Sequence, residues 1–264
     1  MTSQRLFQPS SGGAPDDGAR ATFKHNTFSS KYWLSYFENN RRDKQAFVWP
    51  QYLDIPYTVR VPIIKSLQRF QIGETGDGTH LRKYARALND PTFEQCIDLF
   101  IKEENGHALV LARIIELMEG YLITWHWTDY AFVSLRHLMG LKTEIFIILT
   151  AEIVGRNFYK ACADGLPDQA LRAIFSSIVR DEIAHLKFHW SFMHKEMLPY
   201  SKLTRQAIYY FWSAVFLTIC CVFIFDHREA LQVLGKSPVG FLQECLRLYN
   251  RGAMRALLLS YRHC

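Results

Sequence analysis

Two Glu-x-x-His pairs are the groups in this sequence best placed to do chemistry together. One pair is Glu104 and His107, and the other is Glu182 and His185. Around each pair, apolar residues recur at the spacing of a helix, which puts the carboxylate and the imidazole on one helix face, one turn apart. Side chains placed in this way can bind the same metal ion. A single pair is unremarkable in a chain with ten histidines, so the interest lies in the repeat.

The same spacing joins each pair to a further glutamate. Glu74 lies 30 residues before Glu104, and Glu152 lies 30 residues before Glu182. Two Glu-x-x-His pairs plus one Glu from each of two other helices form a dinuclear metal site in a four-helix bundle. The predicted metal ligands, which would also be the catalytic groups, are Glu74, Glu104, His107, Glu152, Glu182 and His185.

A turn signal near the middle of each 30-residue interval gives the spacing a geometric reason. Asn89-Asp90-Pro91 falls in the first interval and Asp164–Pro167 in the second. Proline suits the first turn of a helix and glycine its end, so each interval reads as helix–turn–helix. In an antiparallel pair, residues equidistant from the turn lie at the same height, here roughly 20 Å from it at 1.5 Å per residue. All six ligands would then meet in one layer of the core.

Composition is that of a soluble protein with a large core, with 49% apolar and 21% charged residues in 264. The net charge is +6, but the basic residues are scattered, so we expect no nucleic-acid partner and at most a mild preference for anionic partners or a membrane surface. The six cysteines form no C-x-x-C pair, and no secretory signal is evident. We therefore expect reduced thiols in a cytoplasmic protein, with membrane association left open.

The chain is expected to form one all-α domain after an N-terminal tail. The tail contains few large apolar residues, which is typical of disorder. Ser29-Ser30 is a cap signal for a short amphipathic helix that ends near Asn39-Asn40. The predicted divisions are a disordered tail at 1–28 and a single domain at 29–264, with a metal-binding four-helix core at 57–198 and a C-terminal helical extension at 201–264.

Four core helices follow from the apolar stripes and from the proline and glycine signals at their ends. Their predicted bounds are about Pro62 to Leu88, Pro91 to about Gly120, Thr128-Asp129 through Glu152 to the turn at Gly165, and Asp168 to Met197.

Several glycines lie close to the proposed ligands. Gly73, Gly76 and Gly78 flank Glu74, and each costs about 1 kcal/mol relative to alanine inside a helix. For this cluster we favour room for dioxygen or substrate beside the metals, or a local irregularity in the helix. At Gly106 we expect close helix–helix packing.

Residues 207–225 form an uncharged run of nineteen residues, long enough to span a bilayer. Arg205 and Asp226-His227-Arg228 flank the run, and no second such segment occurs. We therefore expect the helix to be buried against the bundle, where it would line a hydrophobic substrate cavity. A homodimer interface and a membrane contact are the alternatives. One final helix is predicted from about Pro238 to Tyr261.

Two acids are expected to support the ligands from outside. Asp181 and Glu103 each precede a ligand glutamate and point about 100° away from it. Each could therefore accept a hydrogen bond from the non-ligating nitrogen of the opposite histidine. The alternative for both acids is a solvated helix face.

Mixed carboxylate and imidazole ligands predict iron or manganese as the metal. Zinc prefers fewer ligands, and calcium would not use the histidines. Four carboxylates in an apolar core are tolerable only with paired cations. We therefore predict two iron ions or a manganese–iron pair.

The whole pattern resembles the ferritin-like superfamily of dimetal carboxylate proteins. The residues that match are Glu74, the run Glu104-Asn105-Gly106-His107, Glu152, and the run from Asp181 to His185, within about 57–198. The aspartate before the second ligand glutamate is similar to the oxidase and oxygenase branch, as is the spacing of about thirty residues. The resemblance implies a ferritin-like four-helix bundle with two extra C-terminal helices and a short N-terminal helix.

Two positions limit which member of the superfamily the chain resembles. Arylamine N-oxygenases carry an extra histidine one turn before the second Glu-x-x-His, where this chain has Ile178. A radical tyrosine would imply a reductase-like role, and Tyr159, two turns from Glu152, is the residue considered for it. Its position gives that role little support.

The resemblance implies a non-haem diiron oxidoreductase, either an oxidase or a monooxygenase, with O2 as co-substrate. Its substrate would be a small or acyl-type hydrophobic organic molecule, and an external donor would supply electrons. The alternative is a ferritin-like ferroxidase that handles iron without an organic substrate, and a third hypothesis is a degenerate bundle that serves only as an interaction module. The basic charge and the added apolar helix favour the organic substrate.

Overall fold

The computed structural model describes residues 28–44, 46–76, 78–136 and 140–258. Over these residues the chain is all-helical and contains no strand, which confirms the predicted all-α class. The predicted tail, apart from Phe28, lies outside the described residues. The helices are α1 (Ser30–Asp43), α2 (Tyr57–Glu74), α3 (Thr79–Arg86), α4 (Pro91–Leu117), α5 (Trp127–Arg136), α6 (Gly140–Gly165), α7 (Gln169–Met197), α8 (Lys202–Asp226), α9 (Arg228–Val233) and α10 (Pro238–Ala253), followed by a π-helical segment, Met254–Leu258.

Side-chain caps start the two helices that bear the Glu-x-x-His pairs. At the start of α4, Oδ1 of Asp90 accepts hydrogen bonds from the backbone amides of Thr92 and Phe93, at 3.1 and 3.0 Å. At the start of α7, Oδ1 of Asp168 accepts from the amide of Leu171 at 2.8 Å. These caps satisfy amides that have no partner inside the helix. Both predicted turn signals therefore mark true helix starts.

The site lies between two helix pairs, α2 with α4 and α6 with α7. A short connection makes α6 and α7 antiparallel, and the salt bridge from Arg60 near the start of α2 to Glu119 just after α4 shows that this pair is antiparallel as well. The pairs meet where Tyr159 of α6 contacts Glu74 of α2, and where the ring of Phe100 on α4 packs against His189 on α7.

The prediction that the first core helix is one continuous element is wrong. It was expected to continue to Leu88, but α2 ends at Glu74 and a separate helix, α3, begins at Thr79. The glycines explain the break, because Gly78 adopts φ +65°, a left-handed conformation that interrupts a right-handed helix. The expected local irregularity is thus a complete interruption directly after a proposed ligand.

The third predicted core helix is also divided. The predicted start is close to the observed one, since α5 begins at Trp127, but α5 ends at Arg136 and the proposed ligand Glu152 lies on a separate helix, α6. Gly140, the first residue of α6, has φ +70°. A left-handed residue at this position is incompatible with one continuous helix.

Helix α1 lies along α4 and α7 on the side of the histidines, from Ser30 beside Asp90 to Asn40 beside Glu103. It begins at the predicted serine cap, where Oγ of Ser29 accepts a hydrogen bond from the amide of Tyr32, and it runs three residues further than predicted, to Asp43. Phe37 is fully buried and lies 6.2 Å, between ring centroids, from His185. The aromatic face of α1 therefore covers one side of the site.

The apolar helix α8 is mostly exposed, so the expectation that it is buried against the bundle is wrong. Only its inner face packs against the protein: Trp212 stacks on Phe146 with ring centroids 4.8 Å apart, and Phe216 stacks on Tyr249 at 4.4 Å. Of its most apolar 18-residue window, 17% is buried, although the helix is long and apolar enough to cross a membrane. The predicted final helix is α10 and the π-helical segment, and residues 259–264 lie outside the described ranges.

The helix break predicts opposite effects for two neighbouring glycines. Gly78→Ala should lower the free energy of unfolding by about 2 kcal/mol, because alanine disfavours φ +65° and its methyl group would overlap the side chain of Ile101. In the matched control Gly73→Ala, the methyl group meets none of the described residues within 4 Å, so stability should hold or rise slightly. Urea unfolding of both variants is the measurement, and equal losses would contradict the assigned role of Gly78.

Candidate metal centre

The structure brings all six predicted ligands together in the core. They form two neighbouring groups, and within each group one ligand atom per residue lies within 4.8 Å of all the others. The first group is Glu104, Glu152, Glu182 and His185, and the second is Glu74, His107 and Glu182. Because Glu182 belongs to both, the groups are adjacent halves of one cluster, which could hold a metal ion.

Both imidazoles direct the same ring nitrogen at the carboxylates. Nδ1 of His185 lies 2.9 Å from Oε1 of Glu104 and 3.6 Å from Oε2 of Glu152. Nδ1 of His107 lies 3.3 Å from Oε1 of Glu182 and 3.7 Å from Oε1 of Glu104. Nδ1 is therefore the atom with which each histidine could bind a metal.

The opposite nitrogens are held by acids on the facing helix. Nε2 of His107 on α4 lies 3.1 Å from Oδ2 of Asp181 on α7. Nε2 of His185 on α7 lies 2.9 Å from Oε2 of Glu103 on α4. An Nε2 proton donated to each acid leaves Nδ1 free to act as a ligand. This reciprocal pairing is the geometry expected from the sequence for both acids, which are buried and do not lie on a solvated face.

Asn40 of α1 and Lys44, the residue directly after α1, complete this outer shell. Neither was predicted from the sequence. Nδ2 of Asn40 donates to Oε1 of Glu103 at 2.8 Å and to Oδ1 of Asp181 at 3.2 Å, so one amide joins the two acids. Nζ of Lys44 lies 2.8 Å from Oδ2 of Asp181. In the sequence, Asn40 and Lys44 belong to the polar C-terminal end of the first helix. That pattern does not indicate which core helices this end contacts.

Tyr159 supports the remaining side of the cluster. Its hydroxyl group donates to Oε1 of Glu74 at 2.6 Å, and its ring is fully buried. Burial and the nearby charge of Glu74 raise the pKa of Tyr159 well above its usual value. Tyr159 therefore stays protonated and acts as a donor to a proposed ligand.

The metal-free cluster divides its protons between carboxylates and imidazoles. Burial, reinforced by the charge of Glu104, raises the pKa of Glu74, and burial with the charge of Glu182 raises that of Glu152. Burial alone would lower the pKa of His107, but the hydrogen bond to Asp181 and the nearby charge of Glu182 raise it to about 10. At neutral pH the imidazole of His107 is therefore a cation that partly balances the acids.

The pKa values of Glu104 and His185 shift in opposite directions. Burial would raise the pKa of Glu104, but the charge of His185 outweighs it and brings the pKa of Glu104 to about 2. Burial would lower the pKa of His185, but the charges of Glu104 and Glu152 raise it well above its usual value. Glu104 therefore remains a carboxylate and His185 a cation in the metal-free protein.

Several buried atoms of the cluster have no hydrogen-bond partner among the residues that the structure describes. The contacts between Nδ1 and the carboxylates are short, but their directions do not meet hydrogen-bond geometry. An unsatisfied buried polar atom costs about 1–3 kcal/mol, so a bound cation would relieve a cost that the protein side chains leave in place. The atoms are Oε1 of Glu104, Nδ1 of His107, both carboxylate oxygens of Glu152, Oε1 of Glu182 and Nδ1 of His185.

A cavity of about 390 Å³ adjoins the carboxylate side of the cluster. All four ligand glutamates line it, and the rest of its wall is mostly apolar, with contributions from α2, α3, α4, α5, α6 and α8. Gly73, Gly76, Gly78 and Gly155 lie in this wall. At Gly73 an added methyl group would meet none of the described residues within 4 Å, so the absence of a side chain leaves open space there. The expected room beside the ligands is therefore present, and the exposed helix α8 does line it.

A second cavity, of about 380 Å³, lies on the imidazole side and is bordered by the outer acids. Gly106 lines it, and a methyl group added there would meet none of the described residues within 4 Å. The close helix packing expected at Gly106 is therefore wrong. Three basic residues, Arg41, Lys44 and Lys102, also line this cavity.

Comparison with known proteins gives no match: no protein-family model, no curated protein and no solved structure is matched by this chain. The geometry itself establishes an all-helical protein with a buried carboxylate and histidine cluster that could bind a metal ion.

Metal uptake should release protons and should strengthen as the pH rises from about 6 to 8. His107, His185, Glu74 and Glu152 all have raised pKa values in the metal-free protein, and protons that they hold must leave when a cation binds. Titration with Co²⁺ in weakly buffered solution containing a pH indicator measures both quantities. His185→Ala should release fewer protons, and an affinity that does not change with pH would contradict the assigned protonation states.

Proposed function

We propose that this chain is a ferritin-like, non-haem dimetal protein that uses O2 to oxidise a hydrophobic organic substrate. The single observation behind the proposal is the shared position of Glu182 in two adjacent ligand groups, beside an apolar cavity. A structural bundle has no need for four glutamates and two histidines converging in its core, because burying them is costly.

The donor set fits a pair of iron ions or a manganese–iron pair. Imidazole ligands are common for iron, and carboxylates suit manganese and iron. Glu74 with His107 would hold one ion, and Glu152 with His185 the other. Glu182 belongs to both groups, and Oε1 of Glu104 lies near Nδ1 of both histidines. When bound, such a pair supplies the redox chemistry with O2.

The residues of the chain itself would position the ligands, hold a proton at Tyr159 and keep water away from the site. Asp181 and Glu103 fix the histidine rings through Nε2, so that Nδ1 points into the cluster. Asn40 and Lys44 in turn hold the acids in place. Tyr159 holds one carboxylate oxygen of Glu74 and keeps its own proton there. Because these partners constrain the rings, the site would be ordered before a substrate binds.

The cavity determines the kind of substrate. Phe70, Phe100, Ile148 and Phe223 are among its lining residues. Besides the proposed ligands, the described lining contains the acid Asp226, which pairs with Arg69. A molecule held there would lose its water shell and rest its apolar part on these side chains. We therefore propose a small or acyl-type hydrophobic substrate. Electrons would come from an external donor.

Removal of one ligand should abolish binding of at least one ion. The wild-type chain should hold about two ions, whereas Glu104→Ala and His185→Ala should each hold one or none. Metal content per chain after anaerobic loading with ferrous iron and desalting is the measurement. Glu116→Ala is the matched control, because Glu116 lies on the same helix as Glu104 but forms only an exposed pair with Arg113. Two ions in both ligand variants would refute the assignment.

Exposure to O2 separates the oxygenase from the ferroxidase alternative, which uses the same ligands. We expect ferrous iron to be oxidised only up to about two ions per chain, with further O2 uptake only when a reductant and an apolar substrate are supplied. Stopped-flow absorption and an oxygen electrode measure this, with Glu104→Ala as the inactive control. Continued oxidation of a large excess of ferrous iron, with ferric mineral formed, would instead support iron storage.

A further inference from the structure

The outer face of α8 is a continuous apolar stripe. Its exposed positions repeat at helical spacing, and between Leu203 and Phe225 none carries a charge. Leu203, Tyr210 and Phe225 are each at least 70% exposed, and at 1.5 Å per residue the stripe is about 33 Å long. Isolated exposed apolar residues are ordinary, but a patch of this length marks an interaction surface. The exposed residues are Leu203, Thr204, Ala207, Tyr210, Phe211, Ala214, Leu217, Thr218, Cys221, Val222 and Phe225.

The contacts of the inner face of α8 decide whether the helix can cross a bilayer or lies on its surface. Trp212 and Phe216 are buried against α6 and α10, and the side chain of Arg205 is buried as well. A helix that crossed a bilayer would have to leave these contacts and move Arg205 into hydrocarbon, which is costly. The helix therefore lies along the protein surface with one face outward.

The mouth of the metal-site cavity opens beside this stripe. Among the residues that line the cavity, the exposed ones lie at its outer end, and they come from α8, from the start of α5 and from the end of α2. Thr218 and Val222 belong both to the stripe and to the cavity wall. Trp127 and Ala131 of α5 form another part of the rim. Asp226 of α8 also lines the cavity, but its charge is paired with Arg69. An apolar molecule could therefore pass from the stripe to the ligand glutamates along Thr218 and Val222.

A second exposed apolar group includes Trp127 of this rim. The segment 121–130 presents tyrosine and tryptophan side chains to the outside, with Trp125 66% exposed and Tyr121 75% exposed. Tryptophan and tyrosine are favoured where apolar acyl chains meet polar headgroups, because each combines a flat apolar ring with one polar atom. The exposed residues of this segment are Tyr121, Leu122, Trp125, Trp127 and Tyr130.

Charges at the ends of the stripe are complementary to anionic headgroups. Lys202 and Arg228 lie just outside the stripe at its two ends, both are exposed, and neither forms an ion pair within the described part of the chain. The acids at the second end are already neutralised, since Asp226 pairs with Arg69 and Glu229 with Lys65. The chain as a whole has a net charge of +6. Basic groups beside an apolar face strengthen binding to an anionic membrane surface.

We infer that α8 and the segment 121–130 bind the surface of an anionic lipid bilayer, and that the cavity takes its apolar substrate from that bilayer. The substrate half of this inference rests on the proposed function. The binding half rests only on the exposed stripe, the aromatic rim and the flanking charges. The alternative occupant of the stripe is a second copy of the chain.

Vesicle flotation of the full chain tests the inference. Wild-type protein should float with vesicles of phosphatidylcholine and phosphatidylglycerol, bind less to phosphatidylcholine alone, and lose part of its binding when salt is added. The double variant Leu203→Glu/Leu217→Glu should bind at least about tenfold more weakly, because both residues point outward from α8 and neither lines the cavity. Leu109→Glu is the matched control, since Leu109 is an exposed leucine on α4, 73% accessible and outside both apolar groups; its binding should stay within about twofold.

Three outcomes would overturn the inference. In the first, wild-type protein floats with neither kind of vesicle. In the second, the double variant Leu203→Glu/Leu217→Glu binds vesicles as well as the control Leu109→Glu does. In the third, light scattering shows that wild-type protein and the control are dimers and that the double variant is a monomer. Circular dichroism melts of all variants verify that they remain folded.

Vesicle binding is measured without turnover, so its failure is distinct from failure of the proposed function. Glu104→Ala should bind vesicles like wild-type protein while it holds one metal ion or none. If vesicles are not bound but metal content and O2 uptake are as proposed, only the membrane inference is lost.

Discussion

The cost of burying four carboxylates in one apolar layer is the constraint on which the rest of the structure depends. An uncompensated buried charge is so unfavourable that such groups are paired, protonated or bound to a metal. In this chain, two imidazolium rings and raised pKa values of Glu74 and Glu152 supply part of the compensation. The buried oxygens and nitrogens without hydrogen-bond partners show that the compensation is incomplete among the described residues. A cation of higher charge is the simplest group that completes it.

The outer shell shows how the fold keeps this cluster in one arrangement. Each histidine is fixed by an acid from the facing helix, so α4 and α7 are cross-linked twice at the height of the site. Asn40 then joins the two acids, which means that the N-terminal helix closes the same network from outside. A change in the angle between α4 and α7 would therefore break both pairs together. Buried polar networks of this kind favour one packing over its competitors.

The sequence predicts well those features of the fold and the site that local chemistry determines. Glu104 and His107 share a face because of helical spacing, and Asp90 and Asp168 start helices because their side chains accept free amides. Tertiary contacts decide the rest. Asn40 gives no local signal of the acids that it reaches, and the apolar run of α8 indicates a helix without indicating what covers its outer face. The sequence predicts the helix breaks only in part, because a glycine allows the left-handed conformation that Gly78 adopts but does not require it.

The break after α2 connects the constraint in the core with access from outside. A continuous helix would have placed Glu74 in mid-helix, with side chains of the following turn standing over the cluster. Instead Glu74 is the last residue of α2, and the glycines that follow form part of the cavity wall. The side chain of Glu104 is 20% exposed towards this space, whereas those of Glu152 and Glu182 are 3% exposed. The interruption gives up helix stability where the larger opening reaches the four ligand glutamates. Because a methyl group at Gly73 would meet none of the described residues within 4 Å, that glycine is better explained by access than by packing.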